Sequence, residues 1–117
     1  KEHLVVGKSL NHLGRIYILE QNLPKAKEVI IKALGILEKA NHPEKYRSLE
    51  LLGDMYAERS QKELQISGQT SKYKFLKAKS IKYFEQSLEV VRKYYPENSV
   101  NFIRLQSKVS YSKQEKI

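Results

Sequence analysis

One pattern that occurs twice constrains the fold of this chain more than any other feature of its sequence. Each copy has two large apolar residues three positions apart, a glycine directly after the second, and a tyrosine three positions after the glycine. The copies are Leu10-x2-Leu13-Gly14-x2-Tyr17 and Leu49-x2-Leu52-Gly53-x2-Tyr56. These spacings place the apolar side chains on one face of a helix. Recurrence of such a unit predicts stacked helix–turn–helix repeats.

The first unit is predicted to be an antiparallel pair of helices. A helix over residues 3–20 precedes a short turn, and Pro24 suits the first turn of a second helix that ends near Ala40. Pro43 marks the end of the unit, because the residue before a proline is disfavoured in the helical conformation. The inward-facing residues of the two helices are Val6, Leu10, Leu13 and Tyr17, then Ala26, Ile30, Ala33, Leu34 and Leu37.

The two repeated glycines predict close helix–helix contact. Glycine inside a helix is less favourable than alanine by about 1 kcal/mol. Gly14 and Gly53 occupy equivalent positions of the repeated pattern, so we expect the paired helix of each unit to cross close to the backbone there.

The second unit is interrupted by an insertion at about residues 59–74. Its first half (59–66) can continue the first helix, whereas Ser67–Ser71 has the composition of a loop. Ser80, Phe84, Ser87 and Leu88 then repeat the pattern of Ala26, Ile30, Ala33 and Leu34 on a helix from about Lys72 to Tyr94.

The whole chain, residues 1–117, is predicted to form a single domain. Repeat 1 covers about 3–41 and repeat 2 about 43–95, and a terminal helix covers about 99–112 with Ser99 as its N-cap. The terminal helix departs from the pattern, since Gln106 stands where the other units have glycine. Its inward positions are Phe102, Leu105 and Val109, and residues 112–117 are expected to fray.

These residues resemble the tetratricopeptide repeat family. The resemblance covers residues 6–37, 46–56 and 80–91 well and residues 99–109 loosely. Units longer than the usual ~34 residues, with a proline between them, are similar to the kinesin-light-chain variety. The resemblance implies an all-α fold, a right-handed superhelix of antiparallel helix pairs with about two and a half repeats, whose first helices line a concave groove.

The resemblance also implies which side chains face that groove. They are Lys8, Asn11, Arg15 and Ile18 in unit one, Arg47, Glu50, Asp54 and Ala57 in unit two, and Val100, Ile103, Ser107 and Ser110 in the last helix. One subgroup of the family clamps carboxylates with basic residues and asparagines. Asn11 and Arg15 stand at clamp positions, but Glu50 and Asp54 would repel a carboxylate, so such a clamp is disfavoured.

Val100 and Ile103 would be exposed if the array ended at the last helix. An apolar pair there suits a peptide ligand, self-association or a neighbouring repeat. A neighbouring repeat is favoured, because solenoids bury apolar faces against the next unit. The absence of an initial methionine and the incomplete last unit are expected of a piece of a longer protein.

Composition narrows the function classes. The chain has no cysteine and therefore no disulfide framework or cysteine nucleophile. No apolar run approaches the roughly 18 residues of a membrane span, and no signal peptide is visible, so a soluble cytoplasmic domain is expected. The net charge of +9 favours attraction to anions and says little about the fold.

Catalysis has little support in the sequence. His3, His12 and His42 lie on different segments, and no metal-binding spacing, phosphate-binding loop or nucleophile motif accompanies them. We therefore expect a non-enzymatic protein-interaction scaffold without cofactor or metal, whose protein or peptide partner the sequence does not identify. One alternative is a peptide-sensing regulatory domain. The other is a basic surface, densest at Lys72, Lys74, Lys77, Lys79 and Lys82, that binds an acidic partner or, less favoured, nucleic acid.

Overall fold

The computed structural model describes residues 2–114, and within that range the chain is all-helical without strands. Pro24 lies in the first turn of the second helix, and Ser99 caps the last helix by accepting a hydrogen bond from the Phe102 N–H at 3.1 Å. Of the tail at 112–117 that is expected to fray, residues 112–114 are helical, and residues 115–117 lie outside the described range. The helices are α1 (Glu2–Leu19), α2 (Leu23–Lys39), α3 (Lys45–Ser67), α4 (Ser71–Tyr94) and α5 (Val100–Gln114).

Each helix packs against the next one in the chain, and α1 also contacts α3. Gly7 lies against Leu37 and Gly14 against Ile30, so α1 and α2 run antiparallel. The backbone reverses direction at two left-handed residues, Gln21 with φ 64° and Asn41 with φ 51°. Asparagine tolerates this conformation better than most residues.

The predicted close approach at the repeated glycines is confirmed. A Cβ atom built on Gly14 would lie 2.3 Å from Cγ1 of Ile30, and one built on Gly53 would lie 2.5 Å from the ring of Phe84. Both distances are shorter than van der Waals contact allows. Ile30 and Phe84 are buried at 0% and 3% exposure, so neither side chain can move aside into solvent.

We expect Gly53→Ala to destabilise the protein and Gly35→Ala to stabilise it. The Gly53 change overpacks the site against Phe84, which costs about 1–3 kcal/mol and outweighs the better helix propensity of alanine. A Cβ atom added to Gly35 would meet no atom within 4 Å beyond its chain neighbours and its own helix backbone, so only the propensity gain of about 1 kcal/mol remains. Urea denaturation of both variants measures the sign of each change in stability. A gain in stability for Gly53→Ala would contradict the close approach of α4 to Gly53.

The core consists of two clusters of buried side chains. The first joins α1, α2 and α3 with the start of α4, and the second joins α3, α4 and α5. Two buried serines of α4 also bond to carbonyl oxygens of α3, since Ser80 Oγ donates to Gly53 O at 2.8 Å and Ser87 Oγ to Tyr46 O at 2.7 Å. The clusters contain Ile18, Leu23, Ala26, Ile30, Leu51, Leu52, Met55, Tyr56 and Leu76, and then Tyr46, Phe84, Leu88, Val91, Leu105 and Val109.

The insertion lengthens two helices and adds little loop. Within 59–74 only Gly68–Thr70 is non-helical, so the predicted loop at Ser67–Ser71 is too long by one residue at each end. Thr70 caps α4 by accepting a hydrogen bond from the Tyr73 N–H at 3.0 Å, and its hydroxyl donates to Glu63 at 2.8 Å. These bonds tie the turn to α3.

The prediction that Leu13 is a core residue is wrong for the described chain. Leu13 is 36% exposed, whereas the equivalent Leu52 and Leu105 are 1% and 0% exposed. Leu52 is covered by α2 and Leu105 by α4. No described helix lies on the corresponding side of α1. Val6 is 47% exposed for the same reason.

Candidate functional site

The candidate site is one face of the molecule, formed by α1, α3 and α5 and called here the α1–α3–α5 face. Asn11 bonds to Ser48 and Gln21 to Glu58, so residue numbers increase together along α1 and α3. Likewise Glu50 contacts Arg104 and Asp54 contacts Lys108, so residue numbers also increase together along α3 and α5. The odd-numbered helices are therefore parallel neighbours, and they position one row of side chains from each.

Glu50 is the centre of a charged network on this face. Arg104 donates to both of its carboxylate oxygens, from Nε at 2.9 Å and from Nη2 at 2.8 Å. Lys108 Nζ donates to Glu50 at 2.7 Å and to Asp54 at 3.0 Å. Arg104 also bonds to the side chain of Asn101 at 3.0 Å. Such a bidentate arginine–carboxylate pair fixes geometry as well as charge.

The pKa values of the two acids of this network are shifted in opposite directions. Burial favours the neutral form of Glu50, but the hydrogen bond from Arg104 and the charge of Lys108 outweigh burial and hold its pKa below the usual value. Burial raises the pKa of Asp54, and the single partner Lys108 offsets that only in part. The pKa of Arg104 is raised, chiefly by its bond to Glu50.

Three residues predicted to face an open groove are instead buried between helices. Asn11 is 6% exposed and accepts a hydrogen bond from Ser48 Oγ at 2.8 Å, while its Nδ2 has no partner among the described residues. Glu50 is 5% exposed, and Ile18 packs in the core at 8%. The equivalent positions Asn11 and Glu50 both point toward the next odd-numbered helix, which covers them. Their contact with a partner protein stays a prediction.

The remaining predicted groove residues reach solvent. Lys8 and Arg15 are exposed, and Arg47 and Asp54 are half-buried. Lys8, Arg15 and Arg47 form no ion pair within residues 2–114. The face therefore offers unpaired cations beside a carboxylate pair that Arg104 and Lys108 already neutralise.

The α5 end of the face is apolar and open. Val100 is 77% exposed and Ile103 is 56% exposed. Ile103 is equivalent to Asn11 and Glu50, and it differs in exposure because no described helix follows α5. Ser107 and Ser110 are exposed, and Ala57 of α3 is half-buried.

Three depressions meet around Asp54. The most polar has a cavity volume of about 370 Å³ and is lined by Arg15, Arg47 and Arg104 among others. A second of about 250 Å³ extends along α1 and α3, and a third of about 530 Å³ reaches Tyr111 of α5 and Lys77 of α4. Asp54 lines all three, so they form a row along the face.

Arg104 and Lys108 belong to the candidate site, and the sequence reasoning missed both of them. Each occupies a position whose equivalents are apolar in α3, namely Leu51 and Met55. The sequence did contain a signal for them, because they are cations at two positions where the preceding unit has core residues. That signal predicts an acidic surface opposite, which Glu50 and Asp54 supply.

No family model, curated protein or solved structure matches this chain. No helix within residues 2–114 is both long and apolar enough to cross a membrane. That same range contains no group of three histidines, cysteines or acids arranged to hold a metal ion.

Proposed function

We propose that the chain is a non-enzymatic protein-interaction scaffold of the tetratricopeptide-repeat type. It is a right-handed α-solenoid of about two and a half repeats that binds a segment of a partner protein along the α1–α3–α5 face. Repeat 1 spans about 3–41, repeat 2 about 43–95, and the terminal helix about 99–112.

Equivalent contacts in successive units support the repeat assignment. Gly14 meets Ile30 of α2 as Gly53 meets Phe84 of α4. Neighbouring odd-numbered helices are parallel, and α1 and α3 are each followed by an antiparallel helix. Stacking of such units produces an extended surface, which repeat proteins use for binding.

The observation that carries the proposal is the row of depressions around Asp54 with free cations beside it. Arg15 and Arg47 line the most polar depression, and neither has an ion-pair partner in the described part of the chain. Glu50 is already satisfied by Arg104 and Lys108. An arriving carboxylate therefore meets arginines whose charge is not offset.

The partner is a segment that carries acidic residues and an apolar end. Acidic side chains pair with Arg15 and Arg47, since arginine binds carboxylates in a bidentate manner. Apolar side chains cover Val100 and Ile103 at the other end of the face. A surface of this size buries about 500–800 Å² per side, and affinity near micromolar is expected because area alone does not give tight binding.

Charge reversal on the face tests this function. We expect Arg15→Glu with Arg47→Glu to weaken binding of an isolated partner segment at least tenfold, because two attractive contacts become repulsive. The partner is first captured with immobilised wild-type protein. The affinity of its binding segment for each variant is then measured by calorimetry.

The matched control is Lys32→Glu with Lys39→Glu. These exposed lysines lie on α2, away from the face, and their reversal changes the net charge equally. The control is expected to keep the wild-type affinity within about twofold. Equal weakening by both pairs, or none by the Arg15 and Arg47 pair, would reject the α1–α3–α5 face as the binding surface.

A further inference from the structure

Away from the α1–α3–α5 face, three half-buried cations converge on the ring of Tyr56, which is itself buried at 4% exposure. The Arg59 guanidinium lies 5.4 Å from the ring centroid of Tyr56, Lys79 Nζ lies at 5.6 Å and Lys27 Nζ at 5.9 Å. They come from α3, α4 and α2, so the fold and not a local sequence run brings them together. Each contact lies within the range of a cation–π interaction.

This convergence lacks a counter-charge. None of the three cations forms an ion pair with a carboxylate among residues 2–114. Tyr83 stacks on Tyr56 with centroids 5.7 Å apart and an interplanar angle of 12°. Burial and the neighbouring Tyr56 raise the pKa of Tyr83, so its hydroxyl stays neutral. All three charges lie within 6 Å of one ring centroid, and like charges in one region repel one another, so a bound anion would relieve that repulsion.

An exposed aromatic ring adjoins the cations. Phe75 is 61% exposed, and Lys79 Nζ lies 5.5 Å from its ring centroid as well as near Tyr56. Lys72, Phe75, Lys79 and Lys82 recur at spacings of three and four residues on α4, so they form one stripe about 15 Å long. No acidic residue occurs between Ser71 and Phe84.

We propose that this stripe, with Lys27 and Arg59, binds single-stranded nucleic acid. Phosphates sit at the three cations around Tyr56, and a base stacks on the open face of Phe75. A positively charged track combined with aromatic faces is the arrangement by which proteins hold single strands without reading their sequence. A carboxylate-bearing peptide would use the cations but would leave Phe75 without a planar partner.

The site accounts for part of the insertion that the repeat pattern does not explain. Arg59 and Lys72 both fall within residues 59–74. That segment lengthens α3 and α4 and thereby supplies two of the cations. This inference does not depend on the proposed function, because its residues are separate from those of the α1–α3–α5 face.

Fluorescence anisotropy with a short labelled uracil oligonucleotide tests the proposal. Phe75→Ala is expected to weaken binding about tenfold, within the range of one lost stacking contact. The triple variant Lys27→Gln, Arg59→Gln, Lys79→Gln is expected to flatten the dependence of log affinity on log salt concentration by about 2, since each phosphate contact contributes about 0.7. Urea denaturation checks that each variant is folded.

The matched control is Lys32→Gln, Lys39→Gln, Lys93→Gln, which removes the same charge from exposed positions elsewhere. It is expected to leave the salt slope unchanged. If the control lost as much of the salt slope as the triple variant, net charge alone would explain the binding, and the proposed site would be rejected. Equal affinity for an abasic phosphodiester chain, for anionic phospholipid vesicles or for polyglutamate would likewise overturn it, because each lacks bases.

Discussion

Leu52→Ala is expected to lower the free energy of unfolding by about 3 kcal/mol, and Leu13→Ala by only about 1 kcal/mol. The two residues are equivalent in the repeat and differ in their surroundings. Leu52 is 1% exposed and packs among Ile30 and Met55 of the first core cluster, so its truncation leaves a cavity. Leu13 is 36% exposed, and water fills the space that its side chain vacates.

Urea denaturation under identical conditions measures both losses. The comparison is valid if the slope of the free energy of unfolding against urea concentration is the same in wild type and variants. The Leu13 variant is the control, because it makes the same leucine-to-alanine change in a helix at an exposed position. Equal losses at both positions would mean that the outer side of α1 is covered in solution. A loss at Leu13 that increases with protein concentration would identify a second copy as the cover.

The helices and their pairing could be predicted because the signals are local. The spacing of Leu10, Leu13 and Tyr17 places apolar residues on one face, and Pro24 and Ser99 mark where helices begin. The expected bounds 3–20 and 72–94 differ from α1 and α4 by one residue at each differing end. Gly14 and Gly53 predicted the close approach because glycine inside a helix is unfavourable without one.

Exposure on the first and last helices could not be predicted in the same way. Leu13 has the sequence pattern of a core residue, but burial depends on a neighbouring helix and not on the residue's own segment. The same reasoning explains Ile103, which is bare at a position where Asn11 and Glu50 are covered. A repeat sequence specifies which face should be buried and does not specify whether a neighbour is present.

The charged network on the α1–α3–α5 face was also beyond local reasoning. Glu50 and Arg104 are more than fifty positions apart in the sequence, and their contact depends on the relative placement of α3 and α5. Without that contact, Glu50 and Asp54 looked like an acidic patch that would repel carboxylates. With Arg104 and Lys108 in place, the face has cations in excess.

Removing both cations from Glu50 should reverse the pH dependence of its contribution to stability. In the wild type the folded pKa of Glu50 is lowered, so its stabilising contribution is present above the unfolded pKa of about 4.3 and is lost as pH falls. In Arg104→Met with Lys108→Met the carboxyl stays buried without partners, and its folded pKa rises. Its contribution is then favourable at low pH and is lost as pH rises.

The expected loss for this double variant is about 3 kcal/mol at pH 7, because a buried carboxylate must be left unpaired or must take up a proton. The loss relative to wild type should shrink steadily between pH 7 and pH 4, since the unfolded carboxyl is itself protonated at the acid end. Methionine matches arginine and lysine in helix propensity. The change therefore isolates the charges, and urea denaturation at several pH values measures it.

Two further variants separate this effect from general charge removal. Adding Glu50→Gln to the double variant should abolish most of the pH dependence, with a small remainder from Asp54, which also loses Lys108. Lys113→Met breaks an ion pair with Glu85 whose side chains are 56% and 45% exposed, and it should change stability by less than about 0.5 kcal/mol at any pH. A loss in the double variant that stays constant from pH 7 to pH 4 would contradict the expected rise in the pKa of Glu50, because it would mean that Glu50 is not buried in the variant.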